Sequence, residues 1–212
     1  MCSGRVDLAH VLRAFSNGTD GVFIGACHLN ECNYITHGNY HALTMVSLAR
    51  KLLNHIGLTP ERLKIEFMSG SEANLFVEGV NNFVKKVKEL GPLGRAEGLN
   101  EKELKLRLEA VTRLVPYIRL VERERLRLPA MPEEEYHNFF ASDEMNRLFN
   151  ETIADKLAIS QITLLLREGP LPTAEMAKRL GLTPSEVSRH LNTSSRQGLV
   201  RYDESRKCFA LA

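Results

Sequence analysis

Two short strand patterns set between three helical ones fix what the first 94 residues can become. Residues 5–17 (RVDLAHVLRAFSN) place Leu8, Val11, Leu12 and Phe15 on one helical face, with Gly18 as the stop. GVFIGAC at 21–27 is a short buried-strand pattern that runs straight into a cysteine loop. A helix is expected from about Asn39 to His55, a strand over 62–67 (RLKIEF), and a helix from about Ser71 to the Gly91-Pro92 stop. Such alternation predicts a parallel sheet, because parallel neighbours need a crossover that a helix supplies. Two strands are few for a sheet that must be covered on both faces and has about four or more. The chain opens at Met1-Cys2, the kind of turn that follows a strand. The expectation is therefore a sheet whose first strands are missing from this chain.

The remainder reads differently. Residues 101–127 form a charged helix in which Leu104, Leu108, Val111, Val115 and Ile118 make a narrow apolar stripe, and Pro116 should kink or split it. Residues 129–144, with Pro129, Pro132 and three consecutive glutamates, read as an acidic hinge. Over 157–212, three helices precede two short strands at 199–202 and 207–211. Thr183 N-caps the third helix, Pro184 sits at its first position, and Glu186 completes a capping box. Three helices and a hairpin make a winged helix-turn-helix. The fold class expected is α/β: an incomplete parallel sheet with flavodoxin- or Rossmann-like layers, then a linker helix, then the winged helix-turn-helix. The corresponding domains are 1–94, 95–156 and 157–212.

With 43% hydrophobic and 25% charged residues, the composition is that of a globular protein. No apolar run is long enough to span a bilayer, and the first residues lack a signal-peptide core, so a cytoplasmic location without membrane contact is expected. The net charge of +2 points to no partner, and the +3 carried by 157–212 is small for a DNA binder. The four cysteines, Cys2, Cys27, Cys32 and Cys208, are too few and too uneven for a disulfide framework.

Cys27 and Cys32 lie where a strand ends, the edge at which parallel sheets bind ligands. Cys2 begins a turn expected at the same edge. Three soft thiolates there suit a metal cluster. A zinc site drawing on His28, His37 or His41, or plain free thiols, fits the spacing as well. Cys208 lies in the other domain and is the weaker fourth ligand.

The run Met1-Cys2-Ser3-Gly4-Arg5-Val6-Asp7, then Gly25-Ala26-Cys27-His28, Cys32-Asn33-Tyr34 and Gly38-Asn39-Tyr40, resembles the delta subunit of methyl-viologen-reducing hydrogenase. Gly57 to Pro60, Arg62-Leu63, Glu66, Ser69 and Glu72 continue the likeness to about Pro92. The resemblance implies a [2Fe–2S] cluster on Cys2, Cys27 and Cys32. Its fourth ligand belongs to a strand and cysteine loop that the family places ahead of the CSGR turn and that this chain lacks. It also implies electron transfer, with no catalytic residue. The partners implied are a hydrogenase or formate dehydrogenase subunit on one side and the flavin subunit of a heterodisulfide reductase on the other. Asn33 stands where the family often has histidine. Arg5, His28 and Asn39 are candidates to tune the cluster or dock the partner, although capping alone would account for Asn39.

In the tail, Ser185, Ser188, Arg189, Asn192 and Arg196 face outward on the third helix. Arginine and asparagine are residue types that read guanine and adenine edges, so nucleic acid is a candidate partner. Winged helices also dock proteins. The second reading of the whole chain is accordingly a redox- or metal-responsive DNA-binding regulator.

Overall fold

The computed structural model describes residues 2–34 and 37–212. Met1, which opens the motif above, lies outside them. Two compact units emerge, one formed by 1–101 with 115–147, the other by 102–114 with 148–212.

In the first unit a 3-10 turn, Ser3–Arg5, leads into α1 (Leu8–Ser16). Asp7 caps α1 by accepting from the Ala9 amide at 2.7 Å, and Leu8, Val11, Leu12 and Phe15 are buried as their spacing predicts. β1 (Val22–Ala26), α2 (Asn39–His55), β2 (Leu63–Phe67) and α3 (Ala73–Leu90) follow in the expected order. β1 and β2 pair in parallel, with Ile24 opposite Ile65. Ile24 and Ala26 are buried in the core, whereas Phe23 alternates to the other face and meets Phe76 and Phe83 of α3. The sheet has these two strands among the described residues, so the chain is a mixed α/β protein with a small parallel sheet and mostly helices. Leu75, Phe76, Val77 and Val84 of α3 stay exposed.

Arg62 closes this unit beside the end of α3. It is wholly buried, pairs with Glu97 at 2.6 Å and donates to the carbonyls of Asp20 and Gly91 at 3.0 and 2.9 Å. The guanidinium thus ties the start of β1, the end of α3 and the 91–98 loop to one point.

α4 (Glu101–Arg125) is one helix, so Pro116 does not split it. Leu108, Val111, Val115, Ile118 and Val121 are all buried along its length, and that packing outweighs the hydrogen bond a proline forfeits. The expected acidic hinge gives way to helices. Residues 133–149 form α5 (Glu133–Ala141) and α6 (Asp143–Phe149). The three glutamates sit in the first turn of α5, where the positive end of the helix dipole stabilises them. Tyr136 stacks on Tyr40 of α2 with centroids 5.6 Å apart, so the segment is packed core.

The second unit contains α7 (Asp155–Glu168), preceded by a π-helical turn, then α8 (Thr173–Leu180), α9 (Pro184–Arg196), β3 (Val200–Asp203) and β4 (Cys208–Leu211). The capping box at Thr183 and Glu186 forms in both directions, and Gly181 takes the left-handed conformation its turn requires. β3 and β4 pair antiparallel as the wing, and Leu171 bridges to Phe209. Ile162, Leu165, Met176, Val187, Leu191 and Val200 form a core of their own.

Candidate functional site

The structure brings Cys2, Cys27 and Cys32 together at the end of β1. Cys2 precedes the 3-10 turn, and its Sγ lies 3.8 Å from that of Cys32. The turn can seat there because Gly4 has no side chain: a Cβ would collide with the His37 carbonyl oxygen and stand 2.7 Å from that of Gly38. Gly38 in turn leaves room for sulfur, since a Cβ there would overlap Cys32 Sγ. Cys27 follows β1 directly, and its thiol is close enough to that of Cys32 for the two to influence each other's ionisation.

Asn39 is not a cap. It is the first residue of α2, fully buried, and its Nδ2 donates to the carbonyls of Cys27 at 3.0 Å and His28 at 2.6 Å. It therefore fixes the start of the cysteine loop to the helix. Tyr40 adds a second tie, its hydroxyl donating to Asn30 Oδ1 at 2.7 Å. His28 Nε2 meets Glu72 Oε2 at 2.6 Å, and Glu72 also accepts from the Ser69 amide at 2.7 Å. Those two bonds, Ser69 first, hold the Glu72 carboxyl below its ordinary value. Arg5 and Asn33 are exposed.

The three sulfurs are not equivalent. Burial would raise the Cys32 thiol, but the amides of Tyr34 and Asn39 donate to it, and it ends below the ordinary value. The Tyr34 amide stands 3.4 Å from the sulfur, and the Asn39 amide is the first of α2, so the helix end favours the thiolate. Burial, then the neighbouring Cys32 and Cys2, push the Cys27 thiol up. Cys32 ionises before Cys27.

Among the described residues no three His, Cys, Asp or Glu side chains are already arranged about a common ion. Two of the thiols, those of Cys2 and Cys32, instead lie within hydrogen-bonding reach of each other. Their donor chemistry nonetheless fits a soft metal centre. Thiolates at about 2.3 Å from one tetrahedral ion stand about 3.8 Å apart, the separation of Cys2 and Cys32. Ser3 Oγ, which follows Cys2 in the chain, is buried with no hydrogen-bond partner. Cys208 lies in β4 of the second unit and is buried.

Sequence reasoning missed Gly4 and Gly38 as the residues that admit the sulfurs, though both stand in the CSGR and GNY motifs. It also missed Glu72 as the partner of His28. Nothing in the sequence marks that contact, since the two residues are 44 positions apart. On α9, Ser185, Ser188, Arg189, Asn192 and Arg196 are all exposed, with Arg189 Nη2 3.2 Å from Asp155 Oδ1. No helix among the described residues is long and apolar enough to cross a membrane.

Residues 1–91 match the family described as methyl-viologen-reducing hydrogenase, delta subunit; residues 160–202 match bacterial regulatory proteins of the arsR family. The chain is similar to the iron-sulfur subunit of an F420-non-reducing hydrogenase from Archaeoglobus profundus. The two are 45% identical over 91 residues, which are 43% of this chain and 66% of the relative. The corresponding protein of Methanopyrus kandleri is 42% identical over 92 residues, 43% of this chain and 69% of that protein. A much longer polypeptide of a CoB-CoM heterodisulfide reductase from Methanosarcina acetivorans is 40% identical over 94 residues, 44% of this chain but 12% of the relative. The chain thus spans at most about two thirds of the length of these relatives. Through residues 1–91, with their thiols gathered at one sheet edge, the chain belongs to the methyl-viologen-reducing hydrogenase delta subunit family.

Proposed function

We propose that the chain is an electron-transfer subunit of a hydrogenase or heterodisulfide reductase type of complex, with Cys2, Cys27 and Cys32 holding a [2Fe–2S] cluster. The observation that supports this most is the convergence of three thiols from two loops, with two amides directed at Cys32. A cluster of this kind takes up and gives back one electron at a time. The residues present do the rest. Cys32 offers a thiolate formed more readily than that of an ordinary cysteine, Asn39 holds the loop so that Cys27 stays in reach, and Gly38 keeps the approach open. The fourth ligand comes from outside these three cysteines. His28, fixed by Glu72, and Arg5 border the site and are the groups we assign to tuning or docking.

The relatives' names motivate a hydrogenase and a heterodisulfide reductase as partners, and the family resemblance read from the sequence extends these to a formate dehydrogenase and a flavin subunit. The donor is a hydrogenase or formate dehydrogenase subunit; the acceptor is the flavin-containing subunit of a heterodisulfide reductase, in the cytoplasm. We extend the two-stranded sheet to a flavodoxin-like layered domain over 1–94, joined by a helical linker, 95–156, to the winged helix of 157–212. The test is iron binding by single variants. Cys27→Ser and Cys32→Ser should each abolish stable iron loading, and loading equal to that of the parent protein would overturn the assignment.

A second reading is favoured by the second unit. The arsR-family match and the exposed Arg189 and Asn192 on a well-capped α9 support a DNA-binding regulator whose cysteine site biases binding. Tight binding of a specific duplex at physiological salt, lost in Arg189→Ala, would favour it over docking to protein.

A further inference from the structure

The chain passes between the two units three times, at 101/102, 114/115 and 147/148. The first passage falls where the loop after α3 meets the opening residue of α4, so no helix is continuous across it. The other two fall inside helical backbone. α4 runs unbroken from Glu101 to Arg125 across 114/115. Residues 143–168 are helical throughout, with α6, the π turn and α7 in direct succession, and they run across 147/148. Phe149, Ala154 and Asp155 all hold right-handed helical angles, so no break separates the three pieces.

Each of these long helices is buried in one unit at one end and in the other unit at the other. In α4, Leu106 packs against the second unit's core, and Leu108 and Val111 are buried in the stretch that belongs to that unit. Val115, Ile118 and Val121 are buried in the stretch that belongs to the first. In the other helix, Met145 is buried on the first unit's side of the crossing, and Ile153, Leu157 and Ile162 on the second unit's side. What continues through each crossing is the backbone hydrogen-bond ladder.

That ladder is weakened at both crossings. Pro116, two residues beyond 114/115, has no N–H, so the Thr112 carbonyl loses its intrahelical donor, and the proline ring crowds that carbonyl. Both residues are exposed, so a bend here opens toward water that solvates the freed oxygen. The π turn Asn150–Ala154 begins at the third residue beyond 147/148 and interrupts the i→i−4 pattern there. Among the described residues, Pro116 is the single proline in a helix interior and Asn150–Ala154 the single π turn. Prolines and π turns are where helices kink. Both therefore stand at the two places where a helix leaves one unit for the other.

We propose that Pro116 and the 150–154 turn are the two sides of one hinge, at which the two units change orientation while each keeps its own core. The bend is confined to these few positions, as hinge motions are. It does not depend on what either unit binds.

Hydrogen exchange of the full chain, read by mass spectrometry on overlapping peptides, gives the first test. In an ordinary helix protection peaks in the middle and falls toward the fraying ends. Here the amides of 113–119 should exchange about tenfold or more faster than those of 106–111, after correction for intrinsic rates. Those of 150–156 should exceed 158–166 by about the same factor. Pro116→Ala returns the missing donor and should slow exchange over 113–119 by about tenfold or more, with far-ultraviolet circular dichroism unchanged. The motion itself is read from the distance between two probes, one at exposed Lys88 and one at exposed Glu204, attached to introduced non-cysteine residues so that the thiols stay untouched. The distance distribution should be broad in the parent protein and narrower in Pro116→Ala. Greatest protection at 113–119 and 150–156 would overturn the proposal. So would a narrow distribution in the parent, or one that Pro116→Ala leaves equally broad. If Pro116→Ala does not fold, the exchange pattern and the probe distances of the parent decide alone.

Discussion

Replacing Glu97 by Gln takes one charge from a pair that water scarcely reaches. Arg62 is fully buried and the Glu97 side chain is 6% exposed. The carboxylate takes Arg62 Nε at 2.6 Å and Nη2 at 3.1 Å, and also the amides of Thr59 and Gly94 at 3.2 and 2.9 Å. A guanidinium cannot shed its proton, so Glu97→Gln leaves a cation in the interior. Breaking such a pair costs about 3–5 kcal/mol. The Asp20 and Gly91 carbonyls remain to solvate the cation, which places the expected loss near the lower end, about 3 kcal/mol. For a chain of this size that lowers Tm by roughly 6–12 °C. Urea unfolding read by circular dichroism measures it, with an unchanged slope confirming the same native state. Exchanging both residues for apolar ones, Arg62→Met with Glu97→Leu, should recover most of the loss. A single variant within about 0.5 kcal/mol of the parent would refute the reasoning, since it would mean that water reaches the guanidinium. The pH dependence has a definite sign. Burial raises the Glu97 carboxyl, but Arg62 and Thr59 hold it below the ordinary value. A lowered folded value contributes stability above the unfolded value that is lost as pH falls, so Glu97→Gln should differ least from the parent in acid.

Gly38→Ala should displace the Cys32 loop, because its Cβ would overlap the sulfur, and iron loading should fall sharply while far-ultraviolet circular dichroism is unchanged. Glu122, raised from the ordinary value to about 7, contributes stability that is present in acid and lost between about pH 4.5 and 7. Glu122→Gln should thus gain up to about 3 kcal/mol over the parent at pH 8 and little at pH 5, by urea titration. Asn39→Ala removes two bonds to the Cys27 and His28 carbonyls, and should cost about 2 kcal/mol and quicken hydrogen exchange in the loop at 28–34.

Much of the fold could be read from the chain because its signals are local. The spacing of Leu8, Val11, Leu12 and Phe15 gives α1, and Thr183, Pro184 and Glu186 give the start of α9. The 129–144 segment reads as a hinge because of its three glutamates and two prolines, whereas the decisive residues are Tyr136 and Phe140. Their partners, such as Tyr40, are distant in sequence. Pro116 misled for a related reason: a proline weakens a helix locally, but buried residues on both sides restore it. At the site, the cysteines were legible from type and position. Their unequal ionisation was not, since it depends on backbone amides of Tyr34 and Asn39 whose direction only folding sets. Glu122 is one acidic residue in a charged helix, and only its burial distinguishes it.

The most direct test of the electron-carrier account is anaerobic purification with iron and sulfide analysis, followed by an EPR spectrum of the reduced protein. The account predicts about two irons and two sulfides per chain and a reduced binuclear signal. Zinc in place of iron, or no bound metal with three titratable thiols, would contradict it.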